Sequence, residues 1–245
     1  VNSHATAHRA AGTVRRTLLR TALTGAAALG AGLTAARPAT AAPSAPGTGP
    51  RPSTPQEALA ELAAGNRRWR AFRERHPHET PATRRELTTA QHPFAVVLGC
   101  IDSRVPPELV FDQGLGDLMT VRTAGEVLDE AVLGSVAYGV LELGIPLVVV
   151  LGHQSCGAVR AAVEAEQSGG HLPAHIQYLA DQIRPAIDHS TEGDARIDAT
   201  VDANVRLVRS RLAEEPDLAA KVSTGELAIV GARYELTSQA VHRVG

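Results

Sequence analysis

Two uninterrupted apolar runs limit what this chain can fold into. Phe94-Ala95-Val96-Val97-Leu98-Gly99 and Leu147-Val148-Val149-Val150-Leu151-Gly152 place no polar side chain on either alternating face. A strand apolar on both faces must be covered on both, which parallel sheets with crossover helices achieve. Shorter runs at 118–122 and 227–233 read the same way. Helical patterns lie between them at about 106–112, at 129–143 (Asp129 as cap, Gly144 and Pro146 as stop), and at 157–167. Two more cover 173–189, interrupted by Pro185, and 195–214, ended near Pro216. The expected fold is α/β: a doubly wound, mainly parallel sheet of four to five strands with flanking helices, the last an edge strand after Tyr234. Crossovers in such sheets are right-handed, and ligands gather beyond the strand C-termini.

Ahead of this core, Thr54, Pro55 and Glu57 form a helix start with a capping box. Leu59, Leu62, Trp69 and Phe72 follow at near-helical spacing, and a second helical piece fits Ala82 to Ala90. Neither precedes a strand at βαβ spacing. The domain at 54–245 therefore divides into a helical arm, 54–90, laid on something else, and an α/β core, 94–245.

The first fifty residues contain five arginines and no acidic residue. Arg15-Arg16 precedes a weakly apolar Ala/Gly-rich stretch, Thr21 to Leu33, and Ala39-Thr40-Ala41 offers a small-x-small cleavage site. Residues 1–41 read as a twin-arginine export signal and 42–53 as a disordered linker. The expected location is outside the cytoplasm: secreted, extracellular, or at the cell wall or periplasm. The stretch is too short and too weakly apolar to span a bilayer, so no membrane insertion is expected once the signal is removed. The remainder is net acidic, since 26 carboxylates outnumber the basic side chains once five of the 24 are gone. With 3% aromatic residues it has no electrostatic footprint for nucleic acid.

Each of the two apolar runs ends on a soft metal ligand. The first leads into Cys100-Ile101-Asp102-Ser103-Arg104 and the second into His153-Gln154-Ser155-Cys156, and the chain has two cysteines in all. Two thiolates and an imidazole form a Cys2His set that suits Zn²⁺ with its fourth position open. Buried structural thiols or, in an exported protein, a Cys100–Cys156 disulfide are the alternatives. A disulfide needs neither His153 nor the charged pair behind Cys100, which favours zinc. Asp102 is suited to bind the metal as a fourth ligand, to accept a hydrogen bond from water on it, or to shape a turn. Arg104 can grip that carboxylate bidentately and decide between these states.

With these motifs the chain resembles the β-class carbonic anhydrases from about Gln56 to Tyr234. Supporting matches are Gly65-Asn66, Phe111-Asp112-Gln113-Gly114-Leu115-Gly116-Asp117 and Val121-Arg122-Thr123-Ala124-Gly125. The resemblance implies one Zn²⁺ per subunit on Cys100, His153 and Cys156, with Asp102 and Arg104 as the catalytic dyad. It places Gln91 in the substrate pocket across a dimer interface and Gly157 beside the substrate. It further implies reversible hydration of carbon dioxide to bicarbonate and a proton by zinc-bound hydroxide that the dyad orients. A homodimer or homotetramer is expected, its N-terminal helices wrapping the partner. Relatives of the fold hydrolyse carbon disulfide or carbonyl sulfide at the same kind of site. A non-catalytic zinc module would hold Asp102 as a permanent fourth ligand. Two stretches depart from the family pattern: Cys156-Gly157-Ala158 keeps one glycine of the usual pair, and Arg122-Thr123-Ala124-Gly125-Glu126 is a variant.

Overall fold

Alternation along the two apolar strands sends their side chains into two separate cores. The structure, a computed structural model, describes residues 51–245. The expected export signal and most of the linker lie outside the described residues. Val96, Leu98, Val148 and Val150 pack on one face; Ala95, Val97, Val149 and Leu151 pack on the other. All eight are essentially inaccessible to solvent, and each buried Val or Leu contributes about 1.5–3 kcal/mol.

The strands are β1 (Ala95–Cys100), β2 (Leu118–Thr123), β3 (Leu147–His153), β4 (Ala228–Tyr234) and β5 (Val241–Val244). They lie in the order β2-β1-β3-β4-β5. The first four are parallel, and β5 closes the edge antiparallel to β4. The helices are α1 (Pro55–Arg70), α2 (Pro81–Glu86), α3 (Pro107–Val110), α4 (Glu130–Leu141), α5 (Gly157–Ser168), α6 (Ile176–Ile183), α7 (Gly193–Glu214) and α8 (Pro216–Ser223). Helices α4, α7 and α8 cover the first face through Val136, Val205, Leu212 and Leu218. Helix α1 and the segment carrying Val105, Val110 and Phe111 cover the second.

The capping box of α1 is present: Glu57 N–H donates to Thr54 Oγ1, and Thr54 N–H donates to Glu57 Oε2. This helix lies on its own core, not only on something beyond it, because Ala58 and Leu62 belong to the second face. Asn66 holds it there. Its Nδ2 donates to the Val110 and Gln239 carbonyls at 3.1 and 3.0 Å, and its Oδ1 accepts from Val241 N–H at 3.0 Å. At the end of the expected linker, Arg51 Nη1 donates to the His92 carbonyl at 2.8 Å.

Several boundaries differ from the sequence reading. Helix α7 ends at Glu214, where the pattern at 195–214 places its end, and Pro216 in addition opens a helix the sequence reading lacked, α8, at its first position, because that position needs no N–H. The pattern at 173–189 resolves into α6 and a 3-10 turn at Arg184–Ala186. Helix α3 is a single turn, shorter than the 106–112 pattern. None of the described helices is long and apolar enough to cross a membrane.

Register brings the ligand-bearing tips together. Gly99 pairs with Leu151, so Cys100 is level with Gly152, and His153 follows one residue on. Gly152 is required here for packing: a Cβ on it would meet Val205 Cγ2 at 2.6 Å, where α7 crosses the sheet.

Candidate metal centre

Beyond its last residue, His153, β3 turns sharply through Ser155, at φ 55°, and delivers Cys156 to the N-cap of α5. Cys100 is the last residue of β1. The ligand atoms of Cys100, His153 and Cys156 all lie within 4.8 Å of one another, and all three residues are buried. The two sulfurs are 3.9 Å apart, far beyond the ~2.05 Å of a disulfide, and both cysteines are free.

The electrostatics of this cluster call for a cation. The hydrogen bond from Cys156, with help from His153 and the Gly125 N–H, holds the Cys100 thiol down at about 4. That same bond, then burial and the neighbouring carboxyl of Glu126, pushes Cys156 up. One proton therefore leaves the pair readily and the second resists until positive charge arrives, as a divalent metal would supply. His153 Nδ1 is 2.9 Å from the Gln154 carbonyl. A carbonyl only accepts, so this contact places a proton on Nδ1 and makes Nε2 the nitrogen available to a metal. That nitrogen is buried without a hydrogen-bond partner, an arrangement that costs about 1–3 kcal/mol unless something ligates it. Two sulfurs and an orphaned imidazole nitrogen fit a zinc ion.

Asp102 is turned toward Arg104. Its Oδ1 accepts from Arg104 N–H and Nε, both at 2.9 Å, and its Oδ2 accepts from Nη2 at 2.7 Å. The Arg104 side chain is the main reason its carboxyl sits low, at about 2. Oδ2 lies 3.8 Å from His153 Nε2, so the dyad borders the ligand cluster without joining it. Asp102 is mostly covered, whereas the Arg104 side chain is half exposed.

The other two expected site residues do not join the cluster. Gln91 is exposed and precedes β1, at the opposite end of a strand that rises about 16 Å. It cannot reach the centre of its own chain. Gly157 opens α5 beside Cys156, and a Cβ there would meet nothing within 4 Å. Packing does not demand glycine at this position.

Four contributors were not legible as site residues. Arg122 donates through Nε to the Cys100 carbonyl at 2.8 Å and through Nη2 to the Asp102 carbonyl at 2.7 Å. Gly125, at φ 69°, points its N–H at Cys100 Sγ, 3.4 Å away. Asn204, buried on α7, donates to the Gly125 carbonyl at 2.8 Å and fixes that turn. Glu126 is fully buried with Oε1 unpartnered. Its burial, and then the charge on Cys100, push its carboxyl well above the usual range. For Arg122, Gly125 and Glu126 the sequence signal was the family-like but variant stretch from Val121 to Glu126; Asn204 had none.

Comparison with known proteins agrees with this geometry. A family model described as carbonic anhydrase matches residues 95–241. Carbonic anhydrase 2 of Mycobacterium tuberculosis is 42% identical over 186 residues, covering 75% of this chain and 90% of that one. The carbonic anhydrase of Mycolicibacterium smegmatis is also 42% identical, with the same coverage of each chain. Among solved structures, the β-carbonic anhydrase CcaA superposes with a TM-score of 0.62 at 23% identity, over 76% of this chain and 94% of that one. A Coccomyxa β-carbonic anhydrase in complex with acetazolamide also gives 0.62 at 23% identity, over 76% and 86%. The structural likeness carries the fold; the family model and the relatives at 42% identity carry the membership. By sequence this chain belongs to the carbonic anhydrase family, and its fold is that of the β-carbonic anhydrases.

Proposed function

We propose that the chain catalyses the reversible hydration of carbon dioxide to bicarbonate and a proton, with one zinc ion held by Cys100, His153 and Cys156. The observation that carries this reading is the buried Cys2His cluster with the Asp102–Arg104 pair at its edge. Zinc in that place supplies Lewis acidity, which makes hydroxide available near neutral pH. Every other task falls to the chain. Asp102 Oδ2 accepts a hydrogen bond from the attacking hydroxyl and so turns its lone pair toward the carbon. Arg104 grips both oxygens of Asp102 and holds it off the fourth ligand position.

Gln91 steadies an oxygen of the nascent bicarbonate from a second copy of the chain, since it cannot reach its own centre. A homodimer is then the smallest working unit, and a homotetramer serves equally. The β-carbonic anhydrases of Sordaria macrospora are described as tetrameric.

Two thiolates and a neutral imidazole cancel the charge of the metal, so water there is less acidified than beside three neutral ligands. Stopped-flow assays of the zinc-loaded protein should show CO₂ hydration that rises from pH 6 toward pH 9. A flat profile would contradict the charge argument. Sulfide release from carbon disulfide without CO₂ hydration would move the substrate to that class. Bound zinc with neither activity would leave a zinc-binding module.

A further inference from the structure

We propose that Arg122 is the positioning residue that sets where the Asp102–Arg104 pair stands relative to the metal centre. This rests on the function just given for the pair. Arg122 lies on β2 opposite Gly99, one residue before the first thiolate. Its guanidinium reaches over the tip of β1 to three carbonyls of a single loop: Cys100 at 2.8 Å, Asp102 at 2.7 Å and Val105 at 3.4 Å. The loop from Cys100 to Val105 thus curls around one cation anchored in the sheet. A planar fork holds Nε and Nη2 in a fixed relation and so fixes two of these carbonyls together, whereas an ammonium is a point donor on a flexible stem.

The two arginines have separable tasks. Arg104 is two residues from Asp102, so their pairing is local and would persist if the whole loop shifted. Nothing in that pairing fixes the 3.8 Å between Asp102 Oδ2 and His153 Nε2. Arg122 fixes it, because it ties the loop backbone to the strand beside the ligands. The next residues strengthen the anchorage: Ile101 N–H donates to the Thr123 carbonyl at 3.2 Å, and Gly125 N–H reaches Cys100 Sγ. Truncating Arg122 should leave the ligands in place and let the intact pair drift. A misplacement of about 1 Å is enough to cost up to about 100-fold in rate.

The test compares wild type, R122A, R122K and R104A, each loaded with zinc for kinetics and with Co²⁺ for visible spectroscopy. R122A should keep one metal per chain and its thiolate-to-cobalt charge-transfer band. Its kcat should fall about 10- to 100-fold, with a smaller change in KM, and the cobalt d–d bands should shift. Millimolar methylguanidinium, filling the space of the lost side chain, should restore both kcat and spectrum in R122A but not in R104A. R122K should recover little, since a point ammonium does not reproduce the fixed spacing of Nε and Nη2. Wild-type kcat and spectrum in either Arg122 variant would overturn the proposal. So would an R122A defect that methylguanidinium leaves unchanged. If R122A does not fold, R122K decides alone: a wild-type spectrum and rate refute the role, and a shifted spectrum with bound metal supports it. A wild type that binds cobalt but does not hydrate CO₂ would overturn the function reading only, with the cobalt spectra still deciding the role of Arg122.

Discussion

Cys156→Ser is expected to strip the protein of its metal and reduce CO₂ hydration by about 10³-fold or more, which corresponds to ~4 kcal/mol of barrier. A serine hydroxyl stays protonated at neutral pH and is a poor ligand for zinc. Cys100 and His153 would remain as two ligands instead of three, and His153 Nε2 would return to being a buried nitrogen with no partner. The fold should survive, because the two apolar cores on either side of the sheet do not depend on the metal. Elemental analysis should therefore show a substoichiometric metal content in a chain whose circular dichroism is unchanged. A Cys156→Ser variant with full zinc and wild-type turnover would remove the cysteine from the ligand set.

Arg104→Ala is expected to give the opposite combination, a full complement of metal with little activity. The substitution removes the Nε and Nη2 hydrogen bonds to Asp102 and leaves one from the backbone N–H of residue 104. The carboxyl, held at about 2 chiefly by this arginine, moves back toward the ordinary carboxylate range and stays ionised at neutral pH. A free carboxylate so close to the ligand cluster then swings onto the open coordination position. Turnover should fall about 10²–10³-fold, comparable to loss of a preorganised polar group at a reacting centre, while metal affinity holds or rises. Zinc titration and stopped-flow hydration on the same preparation measure both. Retained turnover with zinc bound would refute the gating role.

What could be read from the sequence follows from the range of the forces involved. Burial of β1 and β3 on both faces was legible because every residue from Ala95 to Leu98 and from Leu147 to Leu151 is apolar. Convergence of Cys100 with His153 was legible for a related reason: ligands at the tips of buried parallel strands have one place to go. The charged pair was legible because Asp102 and Arg104 are two residues apart and their hydrogen bonds are local.

Other features depend on which distant segments meet. Arg122 looks like any strand arginine until the register of β1 and β2 sets it beside Gly99. Glu126 is buried by the assembly around it, and no local pattern announces a carboxyl at 1% exposure. Asn204 reaches the Gly125 carbonyl across 79 residues of sequence. The end of α7 near Pro216 was legible; that the same proline also opens α8 was not, because the contact of Leu218 with the first core that holds this helix comes from distant segments. The amphipathic spacing of α1 was visible, but not which surface it would cover. Its own sheet takes Ala58 and Leu62, while Phe72, just past its end, stays 78% exposed.

X-ray absorption at the zinc edge of purified protein tests the central claim most directly. The site described here predicts one zinc per chain with two sulfurs at about 2.3 Å, one imidazole nitrogen at about 2.0–2.1 Å and one further light atom. A preparation that hydrates CO₂ without zinc, or whose mass spectrum shows Cys100 and Cys156 joined in the active form, would contradict it.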